Sequence, residues 1–114
     1  MQIQGVYAAL TTKDMKRAEQ FYSILFGREP DDRPMDNLIQ WRDVAGANIQ
    51  LFRDETSAGH GRCTIVVPQM SVARQELARA GLSIGDEKAG EFGKIAQLND
   101  PDGNLITLAE PPSK

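Results

Sequence analysis

The chain is poor in the residues from which metal and redox sites are built. Its 114 residues include one cysteine, Cys63, and one histidine, His60. A lone cysteine excludes an internal disulfide framework and a cysteine-based zinc site. A lone histidine leaves a two-histidine metal site, or a histidine-activated serine or cysteine nucleophile, without its parts. A basic excess is missing as well. Thirteen Lys and Arg against 16 Asp and Glu give a net charge of −3, and the basic residues are scattered, so nucleic acid is not an expected partner. No apolar run approaches a membrane span and the N-terminus carries no signal-peptide pattern, so the expectation is a cytoplasmic protein without a membrane partner. What is there is ordinary globular material, 40% hydrophobic and 25% charged, long enough for a single domain with one core.

Along the chain, residues 3–12 alternate as a strand, with Val6, Ala8 and Leu10 on one face and Gly5, Tyr7 and Ala9 on the other. Asp14 caps a helix running to Phe26, with an apolar stripe of Ala18, Phe21, Ile24 and Leu25, and Gly27 supplies its left-handed end. Residues 28–36, with Pro30, Pro34 and three aspartates, read as loop with room for a short strand. Strands Asn37–Asp43 and Ala47–Arg53 follow around a tight turn. Residues 55–61 are polar and glycine-containing, a linker. The order then restarts. Arg62–Val67 is a strand. Ser71 caps a helix through Ala80, with Val72, Ala73 and Leu77 inward, and Gly81 ends it. Leu82–Ile84 has the composition of a short strand. Lys94–Asn99 and Asn104–Ala109 form a hairpin around Asp-Pro-Asp-Gly, and Pro111–Lys114 is a loose tail.

A fixed offset of 57 residues relates the ends of the two halves. Gln40, Asp43, Gly46, Ile49 and Leu51 recur as Gln97, Asp100, Gly103, Ile106 and Leu108. Three-residue loops ending in a left-handed Gly46 or Gly103 would pair Asp43 with Ala47, Gln40 with Gln50, and Gln97 with Thr107. In that register Ile39, Trp41, Ile49 and Leu51 share an apolar face, and Gln40, Arg42, Asn48 and Gln50 a polar one. A one-residue slip would mix the two sets at a cost in buried polar groups. Trp41 is therefore expected in the core beneath a helix. Alternation likewise sends Arg62, Thr64 and Val66 away from Cys63, Ile65 and Val67.

Two motifs carry a resemblance. Asp14 through Phe21-Tyr22 to Leu25-Phe26-Gly27 is similar to the first-helix signature of the vicinal-oxygen-chelate superfamily, which includes glyoxalase I, bleomycin-resistance proteins and extradiol dioxygenases. Asp100-Pro101-Asp102-Gly103-Asn104 resembles its closing hairpin. The resemblance covers nearly the whole chain. It implies an α+β fold of two tandem βαβββ modules, about residues 3–54 and 62–109, forming a curved sheet around a cavity with helices outside. It also implies a homodimer. In the family's metal enzymes four ligands, His, Gln or Glu, point into the cavity. Carried over, those positions hold Tyr7, Gln50, Arg62 and Thr107.

That set does not suit a divalent ion. Arg62 is a permanent cation, Tyr7 keeps its proton near neutrality and Thr107 is a poor lone ligand. No metal and no cofactor is expected, and no catalytic residue is assigned. What remains is a ligand-binding set of Tyr7, Gln40, Arg42, Gln50, Arg62, Gln97 and Thr107, the furniture of a pocket for a small organic molecule. Within it Arg62 is expected to anchor an anionic or carbonyl-bearing group. His60 reads as a solvated loop residue. The leading reading is a metal-free ligand-sequestering protein of the bleomycin-resistance type. Its rivals are a metal-dependent lyase, isomerase or dioxygenase of the same superfamily, and a non-catalytic dimeric accessory domain.

Overall fold

Alternating burial in Tyr7–Thr12 makes β1, whose Leu10 and Thr12 point into the core. A computed structural model describes residues 1–91 and 93–112 of the chain. Helix α1, Met15–Phe26, starts where the Asp14 side chain accepts a hydrogen bond from the Arg17 N–H and stops at left-handed Gly27. Then come β2 (Asp32–Met35), β3 (Leu38–Val44) and β4 (Ala47–Arg53). The second half repeats the order with β5 (Arg62–Val66), α2 (Met70–Arg79), β6 (Lys88–Gly90), β7 (Gly93–Asn99) and β8 (Leu105–Glu110).

Each half is a βαβββ module with one four-stranded sheet, ordered β1-β4-β3-β2 and β5-β8-β7-β6, in which the first strand runs parallel to the last. The sheets are separate and open rather than closed around a cavity, and the molecule is a slab of 42 × 37 × 24 Å. Ile49 pairs with Ala8, and Ile106 with Cys63, so Tyr7 and Arg62 occupy equivalent positions. The offset is thus 57 residues at the closing strands and 55 at the opening ones; module two holds two extra residues between them.

One core runs through both modules. It includes Phe21 and Tyr22 from α1, Met70 and Leu77 from α2, and Trp41, Leu51, Ile106 and Leu108 from the sheets. Trp41 is fully buried against Tyr22 and Phe26, and its indole N–H donates to the Arg28 carbonyl at 3.0 Å. Burying a side chain of this size contributes roughly 1.5–3 kcal/mol.

Several sequence expectations need correction. The first strand begins at Tyr7, not residue 3, because residues 1–6 have no pairing partner and leave Ile3 and Val6 exposed. Along α1, Tyr22 takes the buried place expected of Ile24. Ser71 lies inside α2, whose N-cap is Gln69, and the helix ends at Arg79. There Met70 is buried and Val72 exposed. Leu82–Ile84 is not a strand; β6 lies further on. In the first hairpin Val44, not Asp43, pairs with Ala47, so the turn is two residues long, with Ala45 and Gly46 both at positive φ. The second hairpin keeps the three-residue loop ending in Gly103. Of the expected tail, residues 113–114 lie outside the described residues.

The modules are joined at that second hairpin. The Tyr22 hydroxyl donates to the Asp100 carboxylate at 2.5 Å. The Asn104 amide donates to Asp100 and to the Thr11 carbonyl and accepts from the Gly61 N–H. Asp102 accepts from the Thr12 hydroxyl and the Lys13 N–H. The two motifs that carry the family resemblance therefore touch each other. Gly61 packs closely there: a Cβ would meet a Leu10 methyl at 2.9 Å and Asn104 Oδ1 at 3.0 Å, so those side chains would have to shift.

Candidate functional site

Cross-strand register sorts the helix-free faces of the sheets into rows. In module one, Gln50 stands opposite Gln40, and Gln40 opposite Asp32. In module two, Thr64 stands opposite Thr107, and Thr107 opposite Gln97. Tyr7 and Arg62 begin the neighbouring rows. Tyr7, Gln40, Gln50 and Thr107 are half-buried; Arg42, Arg62 and Gln97 are exposed. All seven sequence-derived residues thus share the face away from the helices, four on module one and three on module two.

Their wiring differs between modules. The Gln50 amide donates to Gln40 at 2.8 Å, and the Gln40 amide donates to Asp32 at 2.8 Å. The Arg42 guanidinium pairs with the other Asp32 oxygen. Gln40 and Arg42 together hold the Asp32 carboxyl below its ordinary value. Asp32 in turn, with the Tyr7 hydroxyl as a second polar neighbour, raises Arg42. Arg42 is thus neutralised locally. In module two the Gln97 amide donates to the Thr107 hydroxyl at 3.0 Å, and Arg62 has no ion-pair partner among the described residues.

Asp32 is the residue that sequence reasoning missed. It lay in a segment read as loop, and only its pairing opposite Gln40 reveals it. His60 is exposed in the connection before β5, two residues ahead of Arg62. Cys63 lies on the helix side, where burial raises its thiol. Among the described residues no three His, Cys, Asp or Glu side chains converge as a metal site would need.

Two clefts bear on the site. One of about 380 Å³ is lined by Gly85, Asp86, Lys88, Ile95, Ala96 and Gln97, so it adjoins the module-two rows. Another, of about 290 Å³, lies on the helix side between α1 and α2, lined by Leu25, Phe26, Ala73 and Leu77 among others.

No protein-family model matches the chain, and no curated protein does. Solved structures do. A glyoxalase/bleomycin resistance protein from Catenulispora acidiphila superposes with a TM-score of 0.84 at 23% identity, over 95% of this chain and 98% of that one. TnmS3, an antibiotic-binding protein from Streptomyces sp. CB03234, gives 0.81 at 24% identity, over 98% and 99%. A bleomycin-binding protein in complex with bleomycin gives 0.72 at 19% identity, over 97% and 100%. The fold is that of these glyoxalase/bleomycin-resistance proteins.

Proposed function

We propose that the chain binds a small organic molecule on its helix-free sheet faces and acts by sequestration, without a metal of its own and as a homodimer. The observation that carries the reading is the uncovered polar face itself. Seven polar side chains from two related modules lie on it, and one of them, Arg62, has no charge partner among the described residues. Proteins of the same fold bind bleomycin or another antibiotic, which supports a ligand for this one. The donor set supports a metal-free site. At the positions where the family resemblance implies ligands stand a phenol, an amide, a guanidinium and a hydroxyl (Tyr7, Gln50, Arg62, Thr107), which do not fit a divalent ion. Open sheet faces and the unpaired edges of β1 and β5 support a second copy as cover.

The test is a thermal-shift screen with bleomycin and a panel of microbial secondary metabolites. A ligand present at about a hundred times its Kd adds roughly 2.7 kcal/mol and raises Tm measurably. At least one such compound is expected; a panel that leaves Tm unmoved at millimolar concentration overturns the reading.

A further inference from the structure

We infer that the ligand is an amphipathic anion, a carboxylate on an apolar body, and that it lies on the module-two sheet face with its carboxylate on Arg62. This rests on the small-molecule reading above and names the ligand's class.

The face is graded along its strands. Arg62, Leu105 and Asn99 form the first row. Thr64, Thr107 and Gln97 form the second. Val66, Ala109 and Ile95 form the third, with Lys88 at its far edge. Along β5 charge thus gives way to a hydrogen-bonding group and then to an apolar strip, which ends at Lys88 on β6. That strip is open: Val66 is 67% exposed and Ile95 39%. It borders the cleft of about 380 Å³ beside Gln97, within the roughly 300–1,000 Å³ of small-molecule sites. A molecule with one charged end and an apolar body matches this order.

The sign of that charge follows from the contrast between modules. Module one has the same three rows: Tyr7 and Asn48, then Gln50 and Gln40, then Phe52 and Leu38. Its guanidinium, however, is spent on Asp32, and the same carboxylate holds the Gln40 amide. Module two offers Arg62 no such partner among the described residues. Its nearby carboxylate, Asp86, flanks Gln97 on the β6 side, whereas Arg62 stands on β5 at the opposite edge of the sheet. An anion therefore meets an unspent guanidinium on module two and a neutral pair on module one.

Three probes with one ring and different heads test this: naphthalene-2-carboxylate, naphthalene-2-methanol and naphthalen-2-ylmethanamine. Each is titrated into the ¹⁵N-labelled full chain while amide shifts are followed. The carboxylate is expected to bind roughly ten- to a hundred-fold tighter than the alcohol, the range for a hydrogen bond to a charged group. Its shifts should fall on β5, β7 and β8. Arg62→Met should abolish the carboxylate's advantage over the alcohol; Arg62→Lys should keep part of it. Equal binding of carboxylate and alcohol, preference for the amine, or a carboxylate preference that survives Arg62→Met overturns the assignment but leaves small-molecule binding standing. Failure of all three probes overturns it too, and the metabolite screen then decides separately whether the chain binds small molecules at all.

Discussion

Tyr22 carries a hydroxyl into a site 1% exposed to solvent, where the Asp100 carboxylate receives it. Removing that hydroxyl leaves a buried carboxylate short of a donor, and hydrogen bonds to charged groups contribute roughly 1.5–3 kcal/mol. Tyr22→Phe should lower the unfolding free energy by that amount in urea melts. The same residue gives the chain an alkaline limit. Burial first, and then the Asp100 carboxylate, push the phenol well above its ordinary 10.0. The folded chain holds this proton more tightly than the unfolded chain does. The resulting stability is complete below pH 10 and falls as the pH rises beyond it. Urea midpoints measured from pH 8 to 11 should fall more steeply for the native chain than for Tyr22→Phe.

At the level of elements, α2 begins in a way its own sequence does not disclose. Ser71 resembles a cap, yet the Met70 N–H is satisfied by the Glu110 carboxylate from β8, at 2.6 Å. A carboxylate at a helix N-terminus meets both an orphan donor and the positive end of the dipole. Glu110→Ala should cost about 1 kcal/mol, the usual loss for a missing cap, and lower Tm by roughly 4 °C in a calorimetric scan. The β3–β4 register was legible because Gln40 and Gln50 alternate with Trp41 and Ile49, and a slip would have buried amides. The first turn was not. Its Asp-x-x-Gly spacing copies the second, but Val44 stands where Pro101 does, and Asp43 and Ala45 both take the left-handed conformation instead. Asp32 escaped notice because Pro30 and Pro34 mark its segment as loop, and only the pairing of β2 with β3 sets it opposite Gln40. That Tyr7, Gln40, Arg42, Gln50, Arg62, Gln97 and Thr107 share one sheet face was legible from alternation and hairpin register, whereas the spending of Arg42 on Asp32 was not.

For the whole molecule, the expected solution state is a dimer, since each module leaves two sheet edges and a polar face uncovered. Light scattering at micromolar concentration should return twice 12.6 kDa, and a clean monomer would refute the expectation. Elemental analysis of protein purified without chelator should find less than a tenth of an equivalent, at roughly the usual background, of zinc, iron, manganese or nickel, because the site offers a cation where a metal wants a base. One equivalent per chain would return the metal-dependent reading to first place.

The hairpin that joins the modules also governs how the chain comes apart. Asp100, Asp102 and Asn104 belong to the second module by sequence, yet they hold Tyr22, Thr12 and Thr11 of the first. Neither half can open its end of this joint without stranding buried polar groups of the other. The duplicated chain should therefore melt as one cooperative unit rather than as two beads on a string. Native-state hydrogen exchange gives the signature: the Gly61 and Leu105 amides, bonded on the module-two side of the joint beside Asn104, should exchange only through global opening, at the same free energy as the strand centres of both sheets.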